Sequence, residues 1–349
     1  MTTSTPQHRV IDQHSLLPAE WLRRQPPDNF YLFNPAVICH HGRRLMVYRV
    51  DFGCHQVKRV ACASCVLDQD WRVAPGSVVA LSDTIVDGGD NHYDPRFLIF
   101  RDRLFVHYNN NWDSVPNQIF LVELDADNLQ ARSAARRLLL EGPRQKIEKN
   151  WLLFDHDGDL FAIYQIAPHI VLRLELGNCG PILCQPGYTS EWDTTIYAKR
   201  YGPPRGGTPP VRAGERYVSI FHSRIQPPPL TPAALSSTVR TLERVQGWKI
   251  LKRWLRGQLN PLKYYGGAYT FAATPPFAPV FIHSQPVLRP EQESRQRRPT
   301  ASHLAPRRVV FPSGLVHLND DRWLVSYGAH DERCVLRTLS QNELVGGND

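Results

Sequence analysis

One hairpin-shaped unit recurs along this chain, and this repeat constrains the fold more than any other feature of the sequence. Each unit has a polar or turn-like entry, an apolar strand, a short polar turn and a second apolar strand. Such alternation and turn chemistry is typical of a β-hairpin. The units are FNPAVICHHGRRLMVYR from Phe33, YDPRFLIFRDRLFVHYN from Tyr93, KNWLLFDHDGDLFAIYQ from Lys149, GTPPVRAGERYVSIFHS from Gly207 and VFPSGLVHLNDDRWLVSYG from Val310.

The spacing inside the unit is nearly constant. The step from the entry to the end of the second strand is 14 residues in four units and 16 in the fifth, which argues against chance similarity between hairpins. About four strands per unit, repeated radially, describe a blade of a β-propeller. We therefore predict an all-β fold, a five-bladed β-propeller, in one domain over residues 1–349. Its blade hairpins are expected near residues 33–50, 93–110, 149–166, 207–224 and 310–329.

The interval between the fourth and fifth units departs from this rhythm. Residues 231–260 combine helix formers with many basic residues, so they predict one or two helices. Residues 288–308 are charged and poor in apolar side chains, which is typical of a loop. We therefore predict a helical insertion over residues 226–305, before the last blade. Its basic helix fits either packing on the propeller or contact with an anionic partner.

Charge and composition narrow the functional classes. The formal net charge is +8 and the isoelectric point is about 9.2. This excess fits an anionic partner such as phosphate, and it fits unspecific surface charge equally well. The polar start of the sequence lacks a secretory signal, and no apolar run is long enough to span a membrane. Seven scattered cysteines fit reduced thiols. We expect a cytoplasmic protein without a membrane span or a nucleic-acid partner. The sequence is compatible with a homo-oligomer.

The blade entries carry the candidate chemistry. In a propeller the inner strands converge on the central axis, so entries that are distant in sequence can meet there. The histidines lack zinc spacing and the carboxylates are too few for a calcium cage, so no metal or other cofactor is predicted. The residues expected to converge are Asn34, Arg49, Tyr93, Asp94, Arg96, Lys149, Asn150, Arg205, His222 and Asp331.

A carboxylate among several cations suits the chemistry of glycosidic bonds. Asp94 could deliver a proton to the leaving glycosidic oxygen. Clustered Lys, Arg and His side chains could hold phosphate, either as the nucleophile or as the leaving group. The alternative is structural: Asp94 would be an Asp-Pro turn residue paired with Arg96.

The motifs, in their order along the chain, resemble glycoside hydrolase family 130. They are NPA…YR, DPR, KNW, GGTPPV…FHS, YYGGAYTF and VVFPSG…YGAHD, and they run from about Phe33 to Cys334. The family comprises β-mannoside phosphorylases and some β-1,2-mannosidases on a five-bladed β-propeller. A related family of β-mannosyltransferases and phosphorylases shares the fold.

The resemblance also implies roles for individual residues. Asp94 matches the proton donor, which is thought to act through a sugar hydroxyl in an inverting reaction. Lys149, Arg205 and His222 are the implied phosphate-binding residues. The positions that match sugar contacts are Asn34, Arg49, Tyr93 and Asp331, and we add Arg96 and Asn150 as substrate-binding residues from their place beside the blade entries.

The chain departs from the family pattern at three positions. Tyr93 stands where the family has Glu, Gln165 stands where the phosphorylases carry Arg, and Arg205 replaces a usual Lys. These departures lie in and around the expected phosphate site. They leave the type of reaction open between phosphorolysis, hydrolysis and transfer.

We therefore predict a carbohydrate-active enzyme that cleaves or forms β-mannosidic or similar β-glycosidic bonds. The preferred reaction is inverting phosphorolysis of an oligosaccharide or glycoside to a sugar 1-phosphate, with inorganic phosphate as co-substrate. The alternatives are a β-mannosyltransferase and an inverting β-mannosidase. The mannosidase would need a second carboxylate about 6.5–9.5 Å from the acid, for which Asp331 and Asp193 are candidates. A non-catalytic glycan-binding propeller is the second alternative.

Overall fold

The computed structural model describes most of the chain and is built mainly of β-strands, so the all-β prediction is confirmed. Among the described residues no helix is long and apolar enough to cross a membrane. The α-helices are short: α1 Ala19–Leu22, α2 Thr195–Tyr201 and α3 Gln341–Val345. The described residues are 5–23, 30–52, 59–87, 89, 91–110, 117–145, 147–177, 179–225, 262–293, 307–319 and 321–345.

The described residues contain 21 strands. The first eleven are β1 His8–Val10, β2 Phe30–His40, β3 Arg43–Phe52, β4 Arg59–Leu67, β5 His92–Phe100, β6 Arg103–Asn110, β7 Gln118–Glu123, β8 Arg136–Leu140, β9 Leu152–His156, β10 Asp159–Gln165 and β11 His169–Glu175. The others are β12 Ile182–Ser190, β13 Pro204–Arg205, β14 Val211–Ala213, β15 Arg216–Ile225, β16 Leu262–Ala272, β17 Pro279–Ile282, β18 Arg307–Arg308, β19 Val310–Asn319, β20 Arg322–Ala329 and β21 Arg333–Ser340.

Antiparallel hairpins lie at the positions that the repeat indicates: β2–β3, β5–β6, β9–β10, β14–β15 and β19–β20. Further antiparallel strands extend each hairpin into a meander, such as β2-β3-β4 and β19-β20-β21-β1. The β5–β8 and β9–β12 meanders join into one eight-stranded sheet because β8 and β12 pair in parallel. The remaining strands form the sheet around β15 and β16.

Consecutive meanders share apolar cores, because one face of each sheet packs on the next and removes its side chains from water. One core contains Val47 and Val106, and the next contains Phe105 and Leu153. The next two cores contain Phe161 with Phe271 and Ile220 with Val325. The fifth core contains Met46 and Leu324 and joins the last meander to the first.

The predicted helical insertion over residues 226–305 is too long. Its helices at 231–260 lie outside the described residues, but β16 and β17 occupy part of the interval and extend the sheet of β15. Two glycines obscure this strand in the sequence, since glycine is a weak strand former. Here Gly267 is required by packing, because a Cβ atom at that position would lie 2.3 Å from the Phe221 ring.

Candidate active site

A small cavity of about 120 Å³ lies where the starts of the first strands of several hairpins meet. Its walls come from the entries of β2, β5 and β9, from the β14–β15 region and from the last meander. All predicted site residues except Tyr93 and Arg96 line it. The full lining is Phe33, Asn34, Arg49, Asp94, Lys149, Asn150, Arg205, His222, Arg224, Tyr264, Val309, Phe311 and Asp331.

Backbone conformation aims three of these side chains into the cavity. Asn34, Asp94 and Asn150 have φ angles of 52°, 51° and 63°. This left-handed region is tolerated best by glycine, asparagine and aspartate, which explains the residue types at these entries. The register of β2–β3 shifts between Phe33 and Ala36, and that of β5–β6 shifts at the equivalent place. Such bulges redirect side chains, and they accept the following proline, which has no N–H to pair.

Asp94 is buried and held by two neighbouring side chains. The Asn34 amide donates a 2.8 Å hydrogen bond to its Oδ1, and Arg49 Nη1 lies 3.3 Å from the same oxygen. Burial alone would raise the pKa of Asp94. The guanidinium groups of Arg49 and Arg96 oppose burial, the Asn34 donor and the Lys149 ammonium add to them, and the net pKa is below its usual value. Asp94 is therefore a carboxylate at neutral pH.

Arg49 is placed so that it binds carboxylates inside the protein. Its guanidinium lies 4.8 Å from the centre of the Phe33 ring and 5.5 Å from that of the Tyr93 ring. Nη2 of Arg49 lies 3.7 Å from Asp51 Oδ2. Burial opposes the charged guanidinium, but Asp94, Asp51 and Asp331 prevail and raise the pKa of Arg49.

Tyr93 and Arg96 lie behind the cavity instead of in its wall. Arg96 is almost completely buried; its Nε donates to Gly207 O at 2.6 Å and its Nη1 donates to Asp94 O at 3.2 Å. Burial lowers the pKa of Arg96 to about 10, although Asp94 acts to raise it. Arg96 thus fixes the backbone at Asp94, and the Tyr93 ring packs under Arg49.

Lys149, Arg205 and Arg224 form the cationic side of the cavity, which we call the cation wall. All three side chains are exposed toward the cavity or its mouth. Partial desolvation lowers the pKa of Lys149; Asp94 acts to raise it, and the neighbouring arginines lower it. An anion that bound here would relieve the mutual repulsion of these cations.

His222 lines the same side as a neutral ring. Burial, opposed by a hydrogen bond to Gly206, lowers its pKa to about 3, with Lys149 and nearby arginines contributing. Its Nδ1 lies 2.7 Å from Gly206 O, which can only accept, so Nδ1 carries the proton. Nε2 is then an acceptor. The His222 ring also lies parallel to that of Tyr264, with centroids 5.9 Å apart.

Sequence reasoning missed Arg224 and Tyr264. Arg224 follows His222 by two residues on β15, so both side chains lie on one face of the strand. This period of two could have predicted Arg224 as a site residue from the position of His222. Tyr264 pairs with Arg224 across β15–β16. It is the first residue of the motif YYGGAYTF, but its place in the cavity depends on strand pairing, so the motif alone assigned it no role in the site.

The charges that line the cavity favour anions. Four permanent cations, Arg49, Lys149, Arg205 and Arg224, stand against two carboxylates, so the formal excess is two positive charges. Asp331 is the second carboxylate of the lining. Asp193, the other candidate, is exposed near α2 and accepts a hydrogen bond from the Thr195 backbone.

Asn34 and Asn150 add polar side chains to the lining. Their Oδ1 atoms are buried and accept no hydrogen bond from any residue that the structure describes. Asn34 Oδ1 lies against Gly328, where an added Cβ atom would be only 2.1 Å from it. The cation wall is therefore the feature of the cavity that indicates the ligand, and it favours one with negative charge.

A group with metal-ligand chemistry lies elsewhere, at the turns of β2–β3 and β5–β6. It consists of His40, His41 and Asp102, whose ligand atoms lie within 4.8 Å of one another. His41 Nε2 and Asp102 Oδ1 are 2.7 Å apart and already form an ion pair when the histidine is protonated. None of these residues lines the cavity.

The fold is similar to that of several solved carbohydrate-active proteins. A β-1,2-mannobiose phosphorylase from Listeria innocua is 13% identical with a TM-score of 0.55, over 97% of this chain and 98% of that one. A mannose phosphorylase from Leishmania mexicana, solved with a phosphate ion, is 14% identical with a TM-score of 0.52, over 92% and 87%. A GDP-Man-dependent mannosyltransferase from the same organism is 12% identical with a TM-score of 0.55, over 92% of each chain.

The sequence matches no protein-family model and no curated protein. At identities of 12–14% the similarity to the solved structures shows the fold. The activities named for those structures are properties of those proteins.

Proposed function

We propose that this chain is a five-bladed β-propeller enzyme that cleaves β-mannosidic bonds by inverting phosphorolysis and releases a sugar 1-phosphate. The observation that carries the proposal is the placement of Asp94 and the cation wall in one cavity. A carboxyl group and an anion site are the two elements that phosphorolysis requires.

The arrangement of the cores supports the propeller. Each of the five apolar clusters joins two consecutive meanders, and the cluster with Met46 and Leu324 joins the last to the first. Such a cyclic order is what a closed ring of blades produces. The similarity to the phosphorylase and transferase structures is in agreement with this architecture.

In this reaction one C–O bond forms and one C–O bond breaks. A phosphate oxygen held at the cation wall attacks the anomeric carbon from the face opposite the leaving group and forms the new C–O bond. The glycosidic C–O bond breaks, and the leaving oxygen takes a proton that Asp94 supplies, directly or through a sugar hydroxyl. Attack from the opposite face inverts the anomeric configuration. Asn34 and Asn150, which line the cavity, would contact the sugar.

The test is the release of mannose 1-phosphate from β-1,2-mannobiose or other β-mannosides in the presence of inorganic phosphate. We expect phosphate-dependent product from the natural chain, and at least a hundredfold less from Asp94→Asn, since general acid catalysis contributes at least that factor. Turnover by Asp94→Asn at the natural rate would remove Asp94 from the mechanism. Glycan binding without turnover in any assay would point to a non-catalytic propeller.

A transferase that uses a nucleotide sugar is the second candidate. Arg205 and Arg224 are exposed at the cavity mouth, where a leaving diphosphate would extend toward solvent. The same assay with GDP-mannose and a mannoside acceptor separates the two reactions. Release of free mannose without phosphate would instead favour hydrolysis, with Asp331 as the second carboxylate.

A further inference from the structure

The free protein holds its candidate acid in the wrong protonation state for catalysis. Asp94 Oδ1 accepts a hydrogen bond from Asn34 and lies 3.3 Å from Arg49, and both contacts stabilise a carboxylate. A general acid must carry its proton before the glycosidic bond breaks. Something that arrives with the substrates must therefore change the balance around Asp94.

We propose that a dianion bound at the cation wall shifts Asp94 from its carboxylate form to its protonated form. Asp94 then takes up a proton from solvent only when the anion is in place. This inference rests on the proposed anion site and adds an order to the reaction. Phosphate would then have two roles: it would be the nucleophile, and its binding would cause Asp94 to become protonated.

The groups that face Asp94 or share its cavity come from six segments: Asn34 on β2, Arg49 on β3, Cys62 on β4, Arg96 on β5, Lys149 before β9 and Asp331 after β20. Burial raises the pKa of the Cys62 thiol well above its usual value, so Cys62 carries no charge. Arg49 and Arg96 are buried and committed to fixed partners. Lys149 is the one cation of this group that also belongs to the cation wall.

Lys149 couples the two sites. It lines the same cavity as Asp94, Arg205 and Arg224, and its ammonium interacts electrostatically with all three. A bound dianion neutralises the cation wall and adds negative charge to the small cavity that contains Asp94. Burial, which disfavours a charged carboxyl group, then prevails at Asp94, and the proton is bound. By linkage, protonation of Asp94 must strengthen anion binding to the same extent.

Sulfate is the suitable probe, because it remains a dianion between pH 5 and 8 and brings no titration of its own. Calorimetric titration near pH 6.5, in buffers that differ in ionisation enthalpy, gives the number of protons taken up per sulfate. We expect roughly half to one proton for the natural chain and almost none for Asp94→Asn. We also expect Asp94→Asn to bind sulfate about tenfold more tightly, because it lacks the carboxylate charge. Asparagine tolerates the left-handed backbone of residue 94, and circular dichroism confirms folding.

The outcomes separate this inference from the proposed function. Sulfate binding without proton uptake by the natural chain overturns the inference and leaves the anion site intact. Equal proton uptake by Asp94→Asn also overturns it, because the proton would then go to another group of the cavity such as Asp331, His222 or Lys149. Failure of the natural chain to bind sulfate would remove the anion site and the proposed phosphorolysis with it. Uptake lost in Asp94→Asn and retained in His222→Asn supports the inference.

Discussion

The Asn34 side-chain amide donates a 2.8 Å hydrogen bond to Asp94, although the two residues lie 60 positions apart in sequence. They occupy equivalent places in two hairpins, each followed by a proline and each in the left-handed backbone region. The repeat therefore brings like positions face to face. Asp94 supplies the carboxylate, and Asn34 donates the hydrogen bond that positions it.

Asn34→Ala should weaken the support of ionised Asp94. Loss of the donor raises the pKa of Asp94, so the alkaline limb of the pH dependence of kcat/KM, which reports an acid that must be protonated, should move to higher pH. The rate at the optimum should fall about tenfold, because the carboxyl group is less well oriented.

Asn128→Ala, an exposed change far from the cavity, is the matched control and should leave the profile in place. A profile for Asn34→Ala that superimposes on that of the natural chain would contradict this role of the hydrogen bond.

Arg96→Met should lower stability substantially. The variant keeps the length of the side chain but leaves Gly207 O and Asp94 O without their buried donor. The expected loss is roughly 2–4 kcal/mol in the free energy of unfolding, measured by urea denaturation. Arg322→Met, on the exposed side of β20, should have no measurable effect. Equal stability of the two variants would mean that Arg96 does not hold the backbone at Asp94.

Arg224→Gln should weaken anion binding without harming the fold. Arg224 is exposed at the cavity mouth, so its replacement leaves no buried group unpaired. We expect about tenfold weaker sulfate binding by calorimetry, since one charge-assisted contact is lost, with an unchanged melting temperature. Arg173→Gln, an exposed arginine on β11, controls for the change in net charge. If both variants bind sulfate equally, Arg224 does not belong to the anion site.

His222 should not titrate in the working range. Burial lowers its pKa to about 3, so the imidazole is neutral throughout pH 5–8. His222→Asn keeps a donor for Gly206 O and should change the rate while leaving the shape of the pH profile unaltered. Disappearance of a limb between pH 5 and 8 in this variant would show that His222 ionises there.

The sequence allowed the strands and the meeting of distant entries to be predicted, because hairpin spacing and turn chemistry are local signals. The same spacing could not show which neighbours of an entry face the cavity. Asp94 and Pro95 together stand opposite Tyr108, and this bulge turns Arg96 away from the cavity. The contribution of Tyr264 depends on pairing across the sheet, which no local pattern encodes.

The left-handed backbone at Asn34, Asp94 and Asn150 has a consequence for redesign. At these positions the backbone favours asparagine, aspartate and glycine before any chemistry is considered. Most other side chains there would each cost about 1–3 kcal/mol in backbone strain. New specificity should therefore be sought at residues whose backbone is extended, such as Tyr264 and Arg224, where nearly any side chain can be accommodated without strain.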